Sequence, residues 1–201
     1  WLLQICDHWP AQYSIATHNY EAAQNEFPQG CLEVLRDNLL MSDWGIRSFD
    51  SAGKYLRMLL LLRRTVKRRR STIIHSLHIL PEGLPAGFCK FFRRDLRVIA
   101  YVHGEELLAY RSSRELMLLA KCALSKIDLL ICNSVNTRTL LLETFPSVSP
   151  TKLIVSNPGI KFEEFQLSSS RAELREKHQL PIDAKIIVTV GRLTKRKNQL
   201  A

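Results

Sequence analysis

Apolar residues between positions 52 and 69 recur at intervals of three and four. A chain with this spacing carries its apolar side chains on one face of a helix, where they can be buried together. The pattern therefore predicts a helix over residues 52–69 whose basic residues lie largely off the apolar face. The apolar positions are Tyr55, Met58, Leu59, Leu62 and Val66.

From residue 72 onward, short apolar runs alternate with stretches that begin with helix-capping residues. Such runs are typical of strands buried on both faces, and their alternation with helices predicts an α/β, Rossmann-like fold with a parallel sheet flanked by helices. The segment at 81–87, rich in proline and glycine, is predicted to be a loop. The predicted strands are residues 72–75, 97–102, 128–132, 152–155 and 185–190.

Three capping signals predict where helices begin. Ser112-x-x-Glu115 and Ser170-x-x-Glu173 are capping boxes, in which a serine and a glutamate side chain each accept a hydrogen bond from the backbone. They predict helices that end near residue 126 and near residues 180–181. Asn133-Ser134 predicts the cap of a further helix. Residues 1–50 carry recurrent turn residues and give no assignment, although residues 1–6 could form a strand.

Composition narrows the class of protein. The 201 residues are 46% hydrophobic, which is ordinary for a globular chain. No apolar run approaches the ~20 residues that a membrane-spanning helix needs. The five cysteines are odd in number and form no Cys-x-x-Cys pair, and Cys89, Cys122 and Cys132 lie inside apolar segments. They are predicted to be reduced, small buried residues rather than a disulfide framework.

Positive charge is concentrated in one part of the chain. The net charge is +10, and no carboxylate occurs between Asp50 and Glu82. Three interpretations of residues 54–70 stay open: a solvated helix face, a patch for an anionic membrane surface, and a nucleic-acid site. Nucleic acid is disfavoured because few aromatic residues are interleaved and no recognition motif occurs. The basic residues are Lys54, Arg57, Arg63, Arg64, Lys67, Arg68, Arg69 and Arg70.

Polar residues follow several of the predicted strands. Because ligands of open parallel sheets bind at the carboxyl ends of the strands, His75, His103, Asn133 and Gly191 are candidates for a site. A histidine such as His103 could hydrogen bond to a sugar hydroxyl or stabilise developing charge, or could be structural. The pair His75-x-x-His78 lacks the spacing and the additional ligands of a metal site, so no metal is predicted.

The last predicted strand leads into a candidate anion site. Gly191 allows a tight turn, and Arg192 and Lys197 follow near the start of a presumed helix, where cations and free backbone N–H groups attract phosphate. A solvated basic helix start is the alternative. The chain has neither the Gly-x-Gly-x-x-Gly of a dinucleotide site nor a P-loop, so both of these phosphate sites are disfavoured.

Taken in order, these segments resemble glycosyltransferase family 4, whose members have the two-domain GT-B fold. The resemblance covers residues 72–201, about two thirds of the chain. Five segments in the family's order carry it: Ile74-His75-Ser76-x-His78, Val102-His103-Gly104-Glu105-Glu106, Asp128 to Ser134, Ser156-Asn157-Pro158-Gly159-Ile160 with Phe165 beyond, and Val190-Gly191-Arg192-Leu193 with Lys197.

The resemblance implies a function and roles for residues. Family members transfer a sugar from a nucleotide-diphosphate donor to an acceptor with retention of anomeric configuration. His103 would face the donor sugar, and Gly191, Arg192 and Lys197 would hold the donor diphosphate. The acceptor or sugar side would include His75, His78, Glu106 and Asn133.

The resemblance also implies a domain division and partners. Residues 1–156 would form the acceptor-side Rossmann-like domain, and residues 157–201 the linker and the beginning of the donor-binding domain. No cofactor or metal is expected, because the nucleotide sugar is a co-substrate. Expected partners are a nucleotide-diphosphate sugar, a saccharide or lipid-linked acceptor in polysaccharide or glycolipid synthesis, and an anionic membrane through residues 54–70. These partners imply a cytoplasmic location, with peripheral association at the inner face of the membrane.

Departures from the family pattern keep two other functions open. Asn198 stands where the family usually has glycine, Lys161 where it usually has an acidic residue, and no glycine-rich loop occurs near residues 5–20. The family's pair of donor-binding glutamates would lie beyond Ala201. The chain is therefore expected to be a fragment that is inactive alone. A GT-B sugar-nucleotide epimerase and an inactive remnant that acts as a binding or membrane-associated module are the alternatives.

Overall fold

The computed structural model describes residues 12–18, 31–159, 170–181 and 183–191. By its internal contacts the chain divides into two units, residues 1–159 and residues 160–201. The assignment of an acceptor-side and a donor-side domain to these parts of the chain stays a prediction. Within the described residues, no helix combines the length and the apolar character that crossing a bilayer demands.

Two strands near the start of the first unit form a parallel pair that the sequence pattern did not predict. β1 (Tyr13–His18) runs beside β2 (Cys31–Asp37), with Ile15 opposite Val34 and Thr17 opposite Arg36. Both strands contain β-branched residues, which suit the pleated backbone. The turn residues of this region masked that preference in the sequence.

The main sheet of the first unit has four parallel strands in the order β3-β4-β5-β6. They are β3 (Ile73–Ser76), β4 (Arg97–Val102), β5 (Leu129–Cys132) and β6 (Leu153–Val155). Four of the predicted strands and the predicted parallel α/β fold are thereby confirmed. Because every neighbouring pair is parallel, the carboxyl ends of all four strands lie along one edge of the sheet.

The predicted basic helix is confirmed as α1 (Phe49–Arg69). It begins at Ser48, whose hydroxyl accepts a hydrogen bond from the Ser51 amide at 3.0 Å. Tyr55, Met58 and Val66 are buried, so the apolar face packs on the core. The helix ends at Arg70, which has a positive φ of 52°. The backbone then turns into β3.

The predicted loop at residues 81–87 is wrong. A distorted helical turn at Ile79–Gly83 leads into α2 (Leu84–Phe88) and a short 3₁₀ turn at Cys89–Phe91. Pro85 lies in the first turn of α2, where a missing N–H costs no intrahelical hydrogen bond. Almost every residue from Ile79 to Gly87 is buried, so packing against the core makes this segment helical despite its prolines and glycines.

The predicted capping box at Ser112 is also wrong. The capping residue is Ser113, and the predicted partner, Glu115, takes no part in the cap. A helix that was not predicted, α3 (Glu105–Ser112), ends there, and α4 (Arg114–Lys126) begins after Ser113. The Ser113 hydroxyl accepts from the Leu116 amide at 3.4 Å. Glu115 is not part of a box: its carboxylate accepts from the Ile46 amide at 2.7 Å and pairs with Arg47.

After β5 the chain forms α5 (Val135–Thr144) and a 3₁₀ turn at Pro150–Lys152 before β6. Ser134 caps α5, as predicted, by accepting from the Thr137 amide at 3.1 Å. The core between the sheet and the helices is continuous. Cys89 and Cys132 are buried in it, as predicted, and the half-buried Cys122 packs against it. Cys31, Cys89, Cys122 and Cys132 are free thiols, and burial raises the pKa of Cys89 and of Cys132 to about 11.

The second unit contains α6 (Arg171–Lys177), which opens with the predicted capping box of Ser170 and Glu173. The helix ends a few residues earlier than predicted, because Gln179 adopts a positive φ of 54°. The buried Arg175 guanidinium holds the chain beyond the helix through the carbonyl oxygens of Pro181 and Ala184.

The predicted strand at residues 185–190 is wrong. Residues 184–190 are in no strand, and the side chains of Ile187 and Val190 are almost fully exposed. A strand exists through its ladder with a neighbouring strand, and this run has none among the described residues. The apolar sequence alone therefore does not produce a strand here.

Candidate functional site

Three candidate residues lie just beyond the carboxyl ends of neighbouring strands. His78 follows β3 by two residues, His103 follows β4 directly, and Asn133 follows β5 directly. Because β3, β4 and β5 are adjacent and parallel, these positions converge at one edge of the sheet, called here the carboxyl edge. Open parallel sheets bind their ligands at this edge.

The turn between β4 and α3 sets the position of His103. Gly104 has φ of 97°, and a Cβ atom at this residue would approach the Thr137 hydroxyl to 3.0 Å. The His103 amide donates to the carboxylate of the buried Glu106 at 2.9 Å. The first turn of α3 thus fixes the backbone of His103, whereas the orientation of the imidazole ring depends on the contacts of the ring itself.

The imidazole of His103 is oriented by a backbone carbonyl. Its Nε2 lies 3.2 Å from the oxygen of Leu77. A carbonyl oxygen can only accept, so Nε2 carries the proton in this contact. In the neutral ring Nδ1 is then the nitrogen that can accept a hydrogen bond, for example from a hydroxyl group of a ligand.

Asn133 connects the ends of β4 and β5. Its Nδ2 donates to the carbonyl oxygen of His103 at 3.1 Å, and its Oδ1 accepts from the Thr137 hydroxyl at 2.7 Å. Both ends of the amide are therefore engaged within the protein, and the side chain positions the His103 turn. Its predicted role toward the sugar or acceptor stays a prediction.

His78 lies beside His103 in a group of rings. The two imidazole centroids are 5.3 Å apart, and the ring of Trp44 is 6.1 Å from His78. His78 Nδ1 also lies 3.4 Å from a carboxylate oxygen of Glu82. This contact with the carboxylate raises the pKa of His78, although burial acts in the opposite direction and the Glu106 charge adds a smaller contribution.

His75 contacts a different ring. Its Nδ1 lies 3.0 Å from the hydroxyl oxygen of Tyr101, with the two rings stacked at 5.9 Å. Tyr101 is almost fully buried, and burial lowers the pKa of His75. Near neutral pH His75 is therefore uncharged.

Three residues that shape the carboxyl edge were missed by the sequence analysis. Trp44 lies in an irregular stretch without periodicity, and no signal could have placed it beside His78. Glu82 was assigned to a loop, although its spacing of four residues from His78 is that of a helical contact. Thr137 lies in α5 without a sequence signal of its own, yet it is the residue that packs against Gly104 and Asn133.

The predicted diphosphate site is only partly within the described residues. Gly191 is exposed and belongs to the second unit, whereas Arg192 and Lys197 lie outside the described residues. Their predicted role stays a prediction. Among residues whose placement is described, no group of three or more His, Cys, Asp or Glu side chains is arranged to hold a metal ion.

The arrangement at the carboxyl edge suits a polyhydroxylated ligand. Imidazole nitrogens from His78 and His103 can exchange hydrogen bonds with hydroxyl groups, and the half-buried Trp44 ring beside His78 is of the residue type that packs on sugar rings. The carboxylates of Glu82 and Glu106 set the charge and position of the histidines. This chemistry is binding and proton exchange rather than nucleophilic attack.

Comparison with known proteins gives one family. The family model for Glycosyltransferase Family 4 matches residues 8–164, which include every residue of the carboxyl edge. No curated protein sequence matches the chain significantly.

Solved structures show the same fold. The Anabaena protein Alr3699/HepE in complex with UDP-glucose superposes with a TM-score of 0.54 at 13% sequence identity, and its complex with UDP with a TM-score of 0.51. In both, the match covers 74% of this chain and 36% of HepE, so the chain spans little more than a third of that protein. A Listeria monocytogenes protein described as a UDP-N-acetylglucosamine 2-epimerase gives 0.43 at 12% identity, over 63% of this chain and 29% of that one, which supports no inference.

Proposed function

Because this chain belongs to Glycosyltransferase Family 4, we propose that it acts in the transfer of a sugar from a nucleoside-diphosphate sugar to an acceptor. The reacting sugar binds at the carboxyl edge of the four-stranded sheet. The observation that carries the proposal is the imidazole pair of His78 and His103, 5.3 Å apart, at the ends of adjacent parallel strands. The whole pair lies within the residues that match the family.

His103 is the proposed catalytic residue. Its Nε2 donates to the Leu77 carbonyl, and we propose that its Nδ1 accepts a hydrogen bond from a hydroxyl of the donor sugar when the sugar binds. His78, whose pKa Glu82 raises, retains its proton to higher pH than an ordinary histidine and can donate to the acceptor or the sugar. Glu106 and Asn133 hold the His103 turn and act as positioning residues.

The leaving group of this reaction is a nucleoside diphosphate. Negative charge grows on it as the sugar–phosphate bond breaks, and fixed cations stabilise this charge most in the transition state. Gly191, Arg192 and Lys197 are proposed to supply that site, with no metal cofactor. Similarity to HepE, whose structures hold UDP and UDP-glucose, supports a uridine diphosphate sugar as the first donor to test.

The finer features are proposed on the family resemblance. Transfer retains the anomeric configuration, and the acceptor is a saccharide or a lipid-linked saccharide of polysaccharide or glycolipid synthesis. Residues 1–156 form the acceptor side and residues 157–201 belong to the linker and the donor side. We propose that the protein is cytoplasmic and associates with the inner face of the membrane.

The test is a transfer assay on the natural gene product that contains this sequence. UDP-glucose and other nucleoside-diphosphate sugars are incubated with glycan and lipid-linked acceptors, and release of the nucleoside diphosphate is measured. His103→Ala is expected to lower kcat about 100-fold or more, the effect of losing a positioned proton-transfer group or charge stabiliser. NMR of the product distinguishes retention from inversion.

The matched control is His178→Ala, at an exposed histidine that follows α6 in the second unit. It is expected to leave kcat unchanged. Equal loss in the two variants, or a His103→Ala enzyme with the kcat of the wild type, would overturn the proposed role of the carboxyl edge. Donor turnover in the absence of every acceptor would assign the protein to an epimerase.

A further inference from the structure

Two phenylalanines are exposed at the edge of the sheet opposite the candidate site. Phe91 and Phe92 are 69% and 55% exposed. They precede β4, whose first residue is Arg97, so they lie at the amino ends of the strands. The basic end of α1 reaches the same edge, because β3 begins only four residues after Arg69.

Besides its buried apolar face, α1 has a row of exposed side chains along another side of the helix. Its members are separated by four, three and four residues, a spacing that places them on one side of the helix. Two of them are apolar and exposed, and two are cations near the end of the helix. They are Leu56, Leu60, Arg63 and Lys67.

Cations join this stripe to the phenylalanines. The Arg63 guanidinium lies 4.2 Å from the centre of the Phe92 ring, and Lys126 Nζ lies 4.6 Å from that of Phe91. Between α1 and Phe92 is a cavity of about 390 Å³ whose charged lining is entirely positive, from Arg63, Lys67 and Arg93. The name aromatic–cationic surface is used here for Leu56, Leu60, Arg63, Lys67, Phe91 and Phe92.

The positive charge of this surface is not neutralised within the described part of the chain. Arg63, Arg64, Lys67 and Arg94 have no described carboxylate oxygen within 4.0 Å. Other cations of the same basic stretch are paired in the fold: Arg68 and Arg69 with Glu33, and Lys54 with Asp50. Unpaired cations therefore lie beside the exposed apolar side chains of this surface, although Arg57 and Arg70 of the same stretch are also in none of these ion pairs.

We propose that the aromatic–cationic surface docks on an anionic lipid bilayer. Leucine and phenylalanine side chains enter the boundary between headgroups and acyl chains, while arginine and lysine bind lipid phosphates. An anionic bilayer has an apolar interior directly beneath negatively charged headgroups, so it complements a surface that combines apolar side chains with cations. The cavity beside Phe92 accepts one lipid phosphate between Arg63 and Lys67, because the third cation of its lining, Arg93, is already paired with Asp95.

The geometry of the rings argues against single-stranded nucleic acid as the partner. Bases bind aromatic residues by stacking on the ring face. The Arg63 guanidinium already lies over the face of Phe92, and Lys126 over that of Phe91. The exposed parts of these side chains serve insertion into lipid better than stacking.

Docking through this surface leaves the candidate site accessible. β4 has six residues, so its two ends lie roughly 17 Å apart at ~3.3 Å per residue. The carboxyl edge with His103 then faces away from the bilayer surface. This inference does not depend on the proposed transfer reaction, since it concerns the opposite edge of the sheet.

The test is flotation of the full 201-residue chain with lipid vesicles. Binding is measured on phosphatidylcholine with and without phosphatidylglycerol, at low and high salt. The wild type is expected to bind the anionic vesicles only, with affinity that falls as salt rises. Phe91→Ser with Phe92→Ser, and separately Arg63→Gln with Lys67→Gln, are each expected to lower the partition coefficient about 10-fold or more.

Two control pairs match these variants in chemistry. Leu118→Ser with Val135→Ser removes two apolar side chains that are 67% and 66% exposed on α4 and α5. Arg114→Gln with Lys121→Gln removes two exposed positive charges from α4. Both controls are expected to bind anionic vesicles within about 2-fold of the wild type, because neither lies on the docking surface.

Depth of insertion gives a second readout that does not rely on loss of binding. In a Phe91→Trp variant, the added tryptophan emission is expected to shift to the blue and to be quenched by brominated lipid. No binding to anionic vesicles, equal binding to neutral vesicles, or equal losses in the control pairs would overturn the proposal. Saturable binding of single-stranded RNA, lost in the same two surface variants and unaccompanied by vesicle binding, would assign the surface to nucleic acid instead.

Discussion

Gly104 shows how a single residue sets the geometry of the carboxyl edge. Its positive φ turns the chain from β4 into α3, and its missing side chain lets Thr137 approach closely. Thr137 in turn donates to Asn133, whose amide holds the carbonyl of His103. The position of the proposed catalytic imidazole therefore depends on a contact that only glycine permits.

Gly104→Ala is expected to destabilise the protein by about 1–3 kcal/mol, because alanine is strained at this φ and its Cβ would contact the Thr137 hydroxyl. The free energy of unfolding is measured by urea denaturation. Gly53→Ala is the control: Gly53 lies inside α1 with no atom near its Cβ position, so alanine should stabilise by about 0.5–1 kcal/mol. Equal effects of the two substitutions would contradict this account of the turn.

At the scale of elements, Asp128 links three parts of the fold at the edge of the sheet where the strands begin, called here the amino edge. It directly precedes β5 and forms hydrogen bonds with β4 and with the 3₁₀ turn after α2. Its carboxylate accepts from Lys90 Nζ at 2.8 Å and from the Val98 amide at 2.9 Å. Burial alone would raise the pKa of Asp128, but the hydrogen bonds from Lys90 and Val98 outweigh it and lower the pKa. The ionised carboxylate is therefore more stable in the folded than in the unfolded protein.

Asp128→Asn is expected to lower the free energy of unfolding at pH 7 by about 1–2 kcal/mol, because it replaces charge-assisted hydrogen bonds by neutral ones. Because the pKa of Asp128 is lower in the folded than in the unfolded protein, its ionised carboxylate stabilises the fold at pH values above the unfolded-state pKa near 3.9. This stabilisation is lost as the pH falls through the folded-state pKa. The difference between variant and wild type should thus shrink in acid.

Urea denaturation over a pH series measures this effect. Asp95→Asn is the control, since the one ion pair of Asp95 within the described part of the chain is with Arg93 on the exposed surface, and its loss should cause no measurable change. A penalty for Asp128→Asn that stays constant from pH 7 into acid would rule out the charged hydrogen bonds as its source.

The elements that the sequence predicted are those whose signal is local. The strands of the main sheet, α1 and the caps at Ser134 and Ser170 follow from apolar periodicity and from side chains that bond to nearby backbone. The helix at Leu84–Phe88 was missed because burial overrides the signals of its prolines and glycines. Residues 184–190 form no strand because a ladder is a property of two segments, not one.

The same division applies to the candidate site. His103 and Asn133 could be predicted because each follows a recognisable apolar strand, whereas His78 was a candidate only through the family resemblance. Trp44 and Glu82 could not, because they reach the carboxyl edge from an irregular segment and from a stretch predicted to be a loop. Periodicity identifies strand ends, whereas the partners of their side chains are set by tertiary packing.

At the scale of the molecule, the first unit has different chemistry at the two edges of one sheet. The carboxyl edge gathers imidazoles, buried carboxylate and an aromatic ring, and it matches a glycosyltransferase family. The amino edge gathers exposed apolar side chains and unneutralised cations. The proposed sugar site and the proposed membrane-docking surface therefore lie at opposite edges of one sheet.

The most direct test of the account is to observe the histidine imidazole signals by NMR in the isotopically labelled natural gene product that contains this sequence. UDP-glucose and acceptor glycosides are titrated separately. The account predicts that the signals of His78 and His103 move together with one saturating concentration, whereas the signal of His178, in the second unit, stays in place. Saturable binding that moves neither His78 nor His103, or no binding of either ligand, would contradict the assignment of the carboxyl edge as the sugar site.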